Sequence, residues 1–162
     1  MEWLNSPFFL TTALCIIVII AVFGVRGRSN KAFANLQEEL QLRLTAMNVA
    51  ANAIVITDRE GTCIWVNPAF TLVSGYSSEE MIGQKLSKLK SGVQDEAFYR
   101  GLWQTILDGN VWKGEIINKN KDGQLYYEEM TIAPVRNERG EIMHFIAIKQ
   151  DISERKRIEV NL

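Results

Sequence analysis

The chain has 162 residues, 47% of them hydrophobic, and a formal net charge of −1. That length suffices for one domain with its own core plus an anchor or tail. The even balance excludes a nucleic-acid binder, which needs a basic excess to neutralise phosphates, and the two cysteines, Cys15 and Cys63, make neither a disulfide framework nor a zinc pattern.

Residues 8–25 read FFLTTALCIIVIIAVFGV without a charge. The run reaches the ~18 residues at which a membrane-spanning helix is expected. Extension back to Trp3 lengthens the span and adds an aromatic interfacial anchor, so residues 3–25 are expected in the bilayer. Arg26, Arg28 and Lys31 follow at once, and positive charge stays inside. The expectation is a single-pass anchor over residues 1–29 in the inner (cytoplasmic) membrane, with everything after it in the cytoplasm. A cleaved signal peptide would instead carry its basic residues ahead of the apolar run.

Residues 30–51 contain neither proline nor glycine, and Phe33, Leu36, Leu40, Leu44, Met47 and Ala51 recur in steps of three and four. This is an amphipathic helical stripe, either pairing in a parallel dimer or acting as a plain connector. The period then changes. Residues 53–57 and 63–66 read as two strands joined by a turn at 58–61. Asn67-Pro68 pairs a good N-cap with a residue suited to the first helical position, and Gly75 ends that helix. Ser77 with Glu79 and Glu80 opens a second short helix that stops at Gly83. Residues 95–108 form a longer helix with Phe98, Leu102 and Ile106 on its apolar side, joined by Trp103. Three strands follow, over 112–119, 125–135 and 142–151, with Asp122-Gly123 as the first hairpin turn and Pro134 placed where an edge or bulge tolerates it. Ser153 opens a charged helix over 154–162. This order predicts an α+β fold, an antiparallel sheet with its helices on one side.

The matching stretches are Ile56-Thr57-Asp58 through Gly61, Trp65-Val66-Asn67-Pro68-Ala69-Phe70, Ser74-Gly75-Tyr76 with Glu79-Glu80-Met81-Ile82-Gly83, and Leu102-Trp103. They continue with Trp112-Lys113-Gly114-Glu115, Asn118-Lys119, Lys121-Asp122-Gly123, Ile132-Ala133-Pro134-Val135 and the run Phe145 to Lys156. In this order they resemble the PAS domain with its C-terminal PAC segment. The resemblance implies a PAS fold over residues 52–153, a five-stranded antiparallel sheet cupping a pocket under short helices. It also implies a cytoplasmic sensor or dimerisation module upstream of a histidine kinase, diguanylate cyclase or other output. Asp151, Ile152 and Ser153 match the exit where the sheet passes its state to an output helix, here residues 154–162.

The residues offer no catalytic constellation. His144 is the only histidine and lies in a strand. Glu128 and Glu129 are adjacent in a strand, so they point to opposite faces and cannot act as a paired acid and base. No second histidine or cysteine stands at metal-ligand spacing. Haem-binding members of the family use a histidine of the long helix, and 95–108 has none. Photoreactive members need a cysteine where this chain has Leu86 and a glutamine where it has Lys149. The pattern is similar in particular to the FAD-binding redox PAS domains of nitrogen-fixation and methane-oxidation sensors, although those nitrogen-fixation sensors carry a glutamate at Leu86. Carried over, FAD would lie beside Trp103, with Asn118 at its ring edge, Asn67 as a further polar candidate and Trp112 at the strand start. Asn67 is equally explained as a helix cap, and Trp103 and Trp112 as core aromatics. The alternative to FAD is a cofactor-free or small-metabolite PAS domain that serves homodimerisation and signal relay.

Overall fold

The computed structural model describes residues 31 and 33–160, and of Val160 only the backbone. The membrane anchor expected over residues 1–29 lies outside the described residues. Among the described residues, no helix is long and apolar enough to cross a membrane.

The chain divides into two units between Thr45 and Ala46. Helix α1 (33–48) belongs to the first up to Thr45, its residues 46–48 to the second; it carries the expected stripe, and Phe33, Leu36, Leu40 and Leu44 are all exposed. Glu39 and Arg43 pair one turn apart on it.

The second unit is built on five antiparallel strands: β1 (Ala53–Asp58), β2 (Cys63–Val66), β3 (Trp112–Lys119), β4 (Leu125–Arg136) and β5 (Ile142–Asp151). Their order in the sheet is β2-β1-β5-β4-β3, so the last strand in sequence is the central one. Between β2 and β3 come α2 (Pro68–Ser74), α3 (Ser78–Met81), a 3-10 turn (Leu86–Leu89) and α4 (Glu96–Leu107), and α5 (Ser153–Val160) follows β5. The helices start where local chemistry satisfies their free N–H groups. Asn67 caps α2 with Pro68 in its first turn, Ser77 and Glu80 form a capping box on α3, and Asp95 caps α4. Gly75 ends α2 in the left-handed region, at φ 74°, which a residue with a Cβ adopts at a cost.

One sheet face is apolar and carries the core. Along β4 the burial alternates, with Tyr126, Glu128, Met130 and Ile132 inward. Ala53 and Val55 of β1, Phe145 and Ala147 of β5 and Ile116 of β3 join them, and Leu102 and Ile106 of α4 close over the layer. Pro134 pairs with Phe145 of β5, beyond Ile132, where β3 stops pairing with β4, so no third strand needs its missing N–H.

Candidate functional site

A cavity of about 380 Å³ lies between α4, the 85–90 segment and the inner sheet face. Its walls are largely apolar: Leu102 and Ile106 from α4, Ile116 from β3, Met130 and Ile132 from β4, Phe145 and Ala147 from β5. Trp103 also lines it and meets the ring of Phe145 edge-on, with centroids 6.0 Å apart. The Trp103 ring lies over Gly61, where an added Cβ would sit 2.9 Å from the indole. Gly61 has φ +78° as well, so both its backbone and this close approach call for glycine.

Polar groups reach the cavity from three sides. Lys85 and Lys90 are exposed and line it, and Lys90 places its ammonium 3.7 Å from the Tyr99 ring centre. Tyr99 lines the same space, its buried hydroxyl has no hydrogen-bond partner among the described residues, and burial holds its pKa above the ordinary value. On the sheet side stand Asn118 and Lys149, each 4% exposed.

Asn118 and Lys149 meet on one carboxylate. Asn118 Nδ2 donates to Glu128 Oε2 at 2.7 Å, and Lys149 Nζ donates to the same oxygen at 2.9 Å. Glu128 is 1% exposed. Three neighbouring strands each supply one member. Lys149 stands opposite Met130, and Asn118 opposite Tyr126, so Glu128 lies diagonal to both, within reach of long side chains. A lone charge in this layer would be strongly unfavourable, and pairing with hydrogen bonds is what makes it tolerable. Tyr126, also buried, has its hydroxyl pKa pushed up, first by burial and then by the Glu128 charge.

Glu128 is one residue from the chain's exit. The backbone N–H of Tyr127 donates to Ser153 Oγ at 3.0 Å, and the Ile152 N–H donates to the Tyr127 carbonyl at 2.8 Å. Asp151, the register partner of Glu128, accepts from the Ser153 N–H, the first of α5, at 2.8 Å. Ile152 is buried beneath this clamp. Further along, Glu115 and Glu129 stand opposite each other on the outer sheet face, a like-charge pair that is unfavourable alone. Lys156 (2.7 Å) and Arg155 (3.3 Å) of α5 meet Glu115, and Arg155 also reaches Glu129.

The Lys156 hydrogen bond, helped by Arg155, holds the Glu115 pKa below its ordinary 4.5. A depressed carboxylate stabilises the folded arrangement above its unfolded value, and that contribution disappears as pH falls through the folded value. Protection of the amides in the first turns of α5, measured against their intrinsic exchange rate at each pH, is therefore expected to fall as the pH drops below 4.5. Glu115→Gln should remove that pH dependence, and added salt should weaken it, because all the partners are exposed.

Of the four residues expected at a ligand, Trp103 and Asn118 line the cavity. Asn67 lies elsewhere. Its Oδ1 accepts from the N–H groups of Ile54 (2.8 Å) and Phe70 (3.1 Å), and its Nδ2 donates to the carbonyls of Met47 (3.1 Å) and Asn52 (3.0 Å). All its hydrogen-bonding capacity goes to holding chain segments together. Trp112 packs edge-on to Phe98 and over Gly114, away from the cavity lining. The Glu128–Lys149 pair is the part that sequence reasoning did not assemble. Its signal was parity: Lys149 shares a face with Phe145 and Ala147, and Glu128 with Met130 and Ile132.

Comparison with known proteins agrees with this architecture. The family described as "PAS domain" matches residues 51–154. A nitrogen fixation regulatory protein of Klebsiella oxytoca is 36% identical over 126 residues, which are 78% of this chain and 26% of that protein. The chain thus spans about a quarter of that regulator's length. Among solved structures, the PAS domain of a protein from Colwellia psychrerythraea superposes with a TM-score of 0.67 at 29% identity, covering 71% of this chain and 98% of that one. An RNA-binding light-oxygen-voltage receptor gives a TM-score of 0.68 at 27% identity, over 71% of this chain and 33% of the receptor.

Proposed function

The chain belongs to the PAS domain family, and we propose that it is a membrane-anchored sensor: its cavity binds a small ligand, and its last helix passes the bound state to a signalling output. The observation that carries this reading is the path from cavity to exit. Lys149 and Asn118 line the cavity and share Glu128, and the next residue, Tyr127, holds Ile152 and Ser153. A ligand that draws on either donor alters the hydrogen bonding of Glu128 and shifts β4 against the start of α5. A clamp with bound and released arrangements is the kind of element that turns such a shift into a switch.

The anchor is the uncharged run over residues 3–25, which tethers the sensor to the inner membrane from its cytoplasmic side. The exposed stripe of α1 supports a homodimer paired along that helix. The output, a kinase, a diguanylate cyclase or a separate protein, receives the signal from α5.

FAD is the ligand we propose to test first. The apolar walls, the Trp103 and Phe145 rings and a few directed polar groups suit a flavin ring. Trp103 would pack against it, Asn118 Oδ1 would meet its polar edge, and Lys85 and Lys90 would face its phosphates. When bound, the flavin would supply a redox-dependent change of charge and hydrogen bonding. A second reading, a different small metabolite, is favoured by the commitment of one Asn118 Nδ2 donor to Glu128, which leaves its oxygen and a single N–H for a flavin edge. The absorbance spectrum of the full chain, purified without added ligand, separates the two. Flavin bands, with FAD released on denaturation, are expected for a redox sensor. A protein that stays colourless after incubation with FAD would remove the flavin reading and leave the metabolite sensor.

A further inference from the structure

The cavity has more donors than its own acceptors can satisfy. An ammonium carries three N–H donors, and among the described residues Lys149 has one partner, Glu128. At 4% exposure it is shielded from bulk water, so its remaining donors have only the cavity to serve. Among the described residues the Tyr99 hydroxyl is a second buried donor without a partner. Buried polar groups in folded proteins are nearly always satisfied, and those that are not call for a missing acceptor. The charge balance points the same way. Lys85, Lys90 and Lys149 line the cavity against one lining carboxylate, Glu60, and Glu128 lies behind Lys149. A concave site with an excess of one sign concentrates ligands of the other.

We propose that the cavity's ligand is a small oxyanion, a carboxylate on a planar apolar body, with Lys149 as the specificity-determining group. The carboxylate takes the free donors of Lys149, and the body lies among Trp103, Phe145 and Ile132. This rests on the reading of the cavity as a ligand site, and it names the ligand's chemistry. It also gives the ion pair a role in signalling: Lys149 shared with a second carboxylate holds Glu128 less tightly.

The test uses isothermal titration of the full chain with 2-naphthoate and with neutral 2-naphthamide. A charged acceptor on a buried ammonium should bind roughly tenfold or more tightly than the neutral one. The variant is the double substitution Glu128→Leu with Lys149→Met, because Lys149→Met alone strands a buried carboxylate. In a double variant that melts as the wild type does, the preference for naphthoate should vanish. Equal affinity for the two probes, a preference that survives the double variant, or no binding of naphthoate at millimolar concentration would each overturn the proposal. A chain that holds FAD but ignores naphthoate would keep the flavin reading and lose this one. A colourless chain that binds naphthoate through Lys149 would do the reverse.

Discussion

Lys149→Met is expected to lower the unfolding free energy by about 3–5 kcal/mol, the usual cost of removing one partner from a buried ion pair. The two side chains are 4% and 2% exposed and 2.9 Å apart. Without the ammonium, the Glu128 carboxylate keeps only the Asn118 amide as a partner, in a layer otherwise built from Met130, Ile132, Phe145 and Ala147. The size of the loss comes from the stranded charge rather than from the attraction itself. Adding Glu128→Leu to Lys149→Met should therefore restore stability to within about 1–2 kcal/mol of the wild type, since an apolar pair of similar volume replaces the ion pair at little net cost. Urea unfolding followed by tryptophan fluorescence measures both variants. A single substitution costing under about 1 kcal/mol would mean that the pair is not buried as described.

Asn67→Ala should cost about 3 kcal/mol, from a lost helix cap of about 1 kcal/mol and from buried backbone groups left without partners at about 1–3 kcal/mol each. Four backbone groups in three segments depend on this one side chain: Met47 at the end of α1, Asn52 and Ile54 around the start of β1, and Phe70 in α2. Asn67→Ser should fall between, because a serine caps α2 but cannot reach the other three. Asn67→Asp should be costly despite keeping the cap, since its second oxygen would face two carbonyls. Thermal melts of the three variants give the order directly, and a serine variant as stable as the wild type would reduce Asn67 to a simple cap. The same residue shows why a helix cap read from sequence is not thereby a ligand contact: its amide is fully used within the chain.

Much of the fold was legible because local chemistry and burial agree. β3 and β5 keep the limits expected from their alternation, and α4 starts at its Asp95 cap. The 3-10 turn at Leu86–Leu89 was not foreseen, because four residues are too few to show a period. Strand order was not legible, since nothing local in 142–151 says that β5 lies at the centre. That placement explains why the site was only half read. A lysine on an edge strand would be a solvated residue. The same lysine at an inward position of the central strand has to find a carboxylate, and Glu128 is the one within reach. Trp103 and Trp112 looked alike in sequence. They differ because Trp103 sits on α4 over Gly61, while Trp112 starts the edge strand and packs on Phe98.

The central claim is that the cavity floor and the exit to α5 are mechanically joined through Glu128. Hydrogen exchange at the Ile152 amide of the full chain tests it most directly, comparing the wild type with the Glu128→Leu, Lys149→Met double variant. Ile152, which donates to Tyr127, is expected to exchange roughly tenfold faster in the variant while amides of β1 keep their protection, as local rather than global opening requires. Unchanged exchange at Ile152 in a folded variant would show that the buried network does not govern the exit.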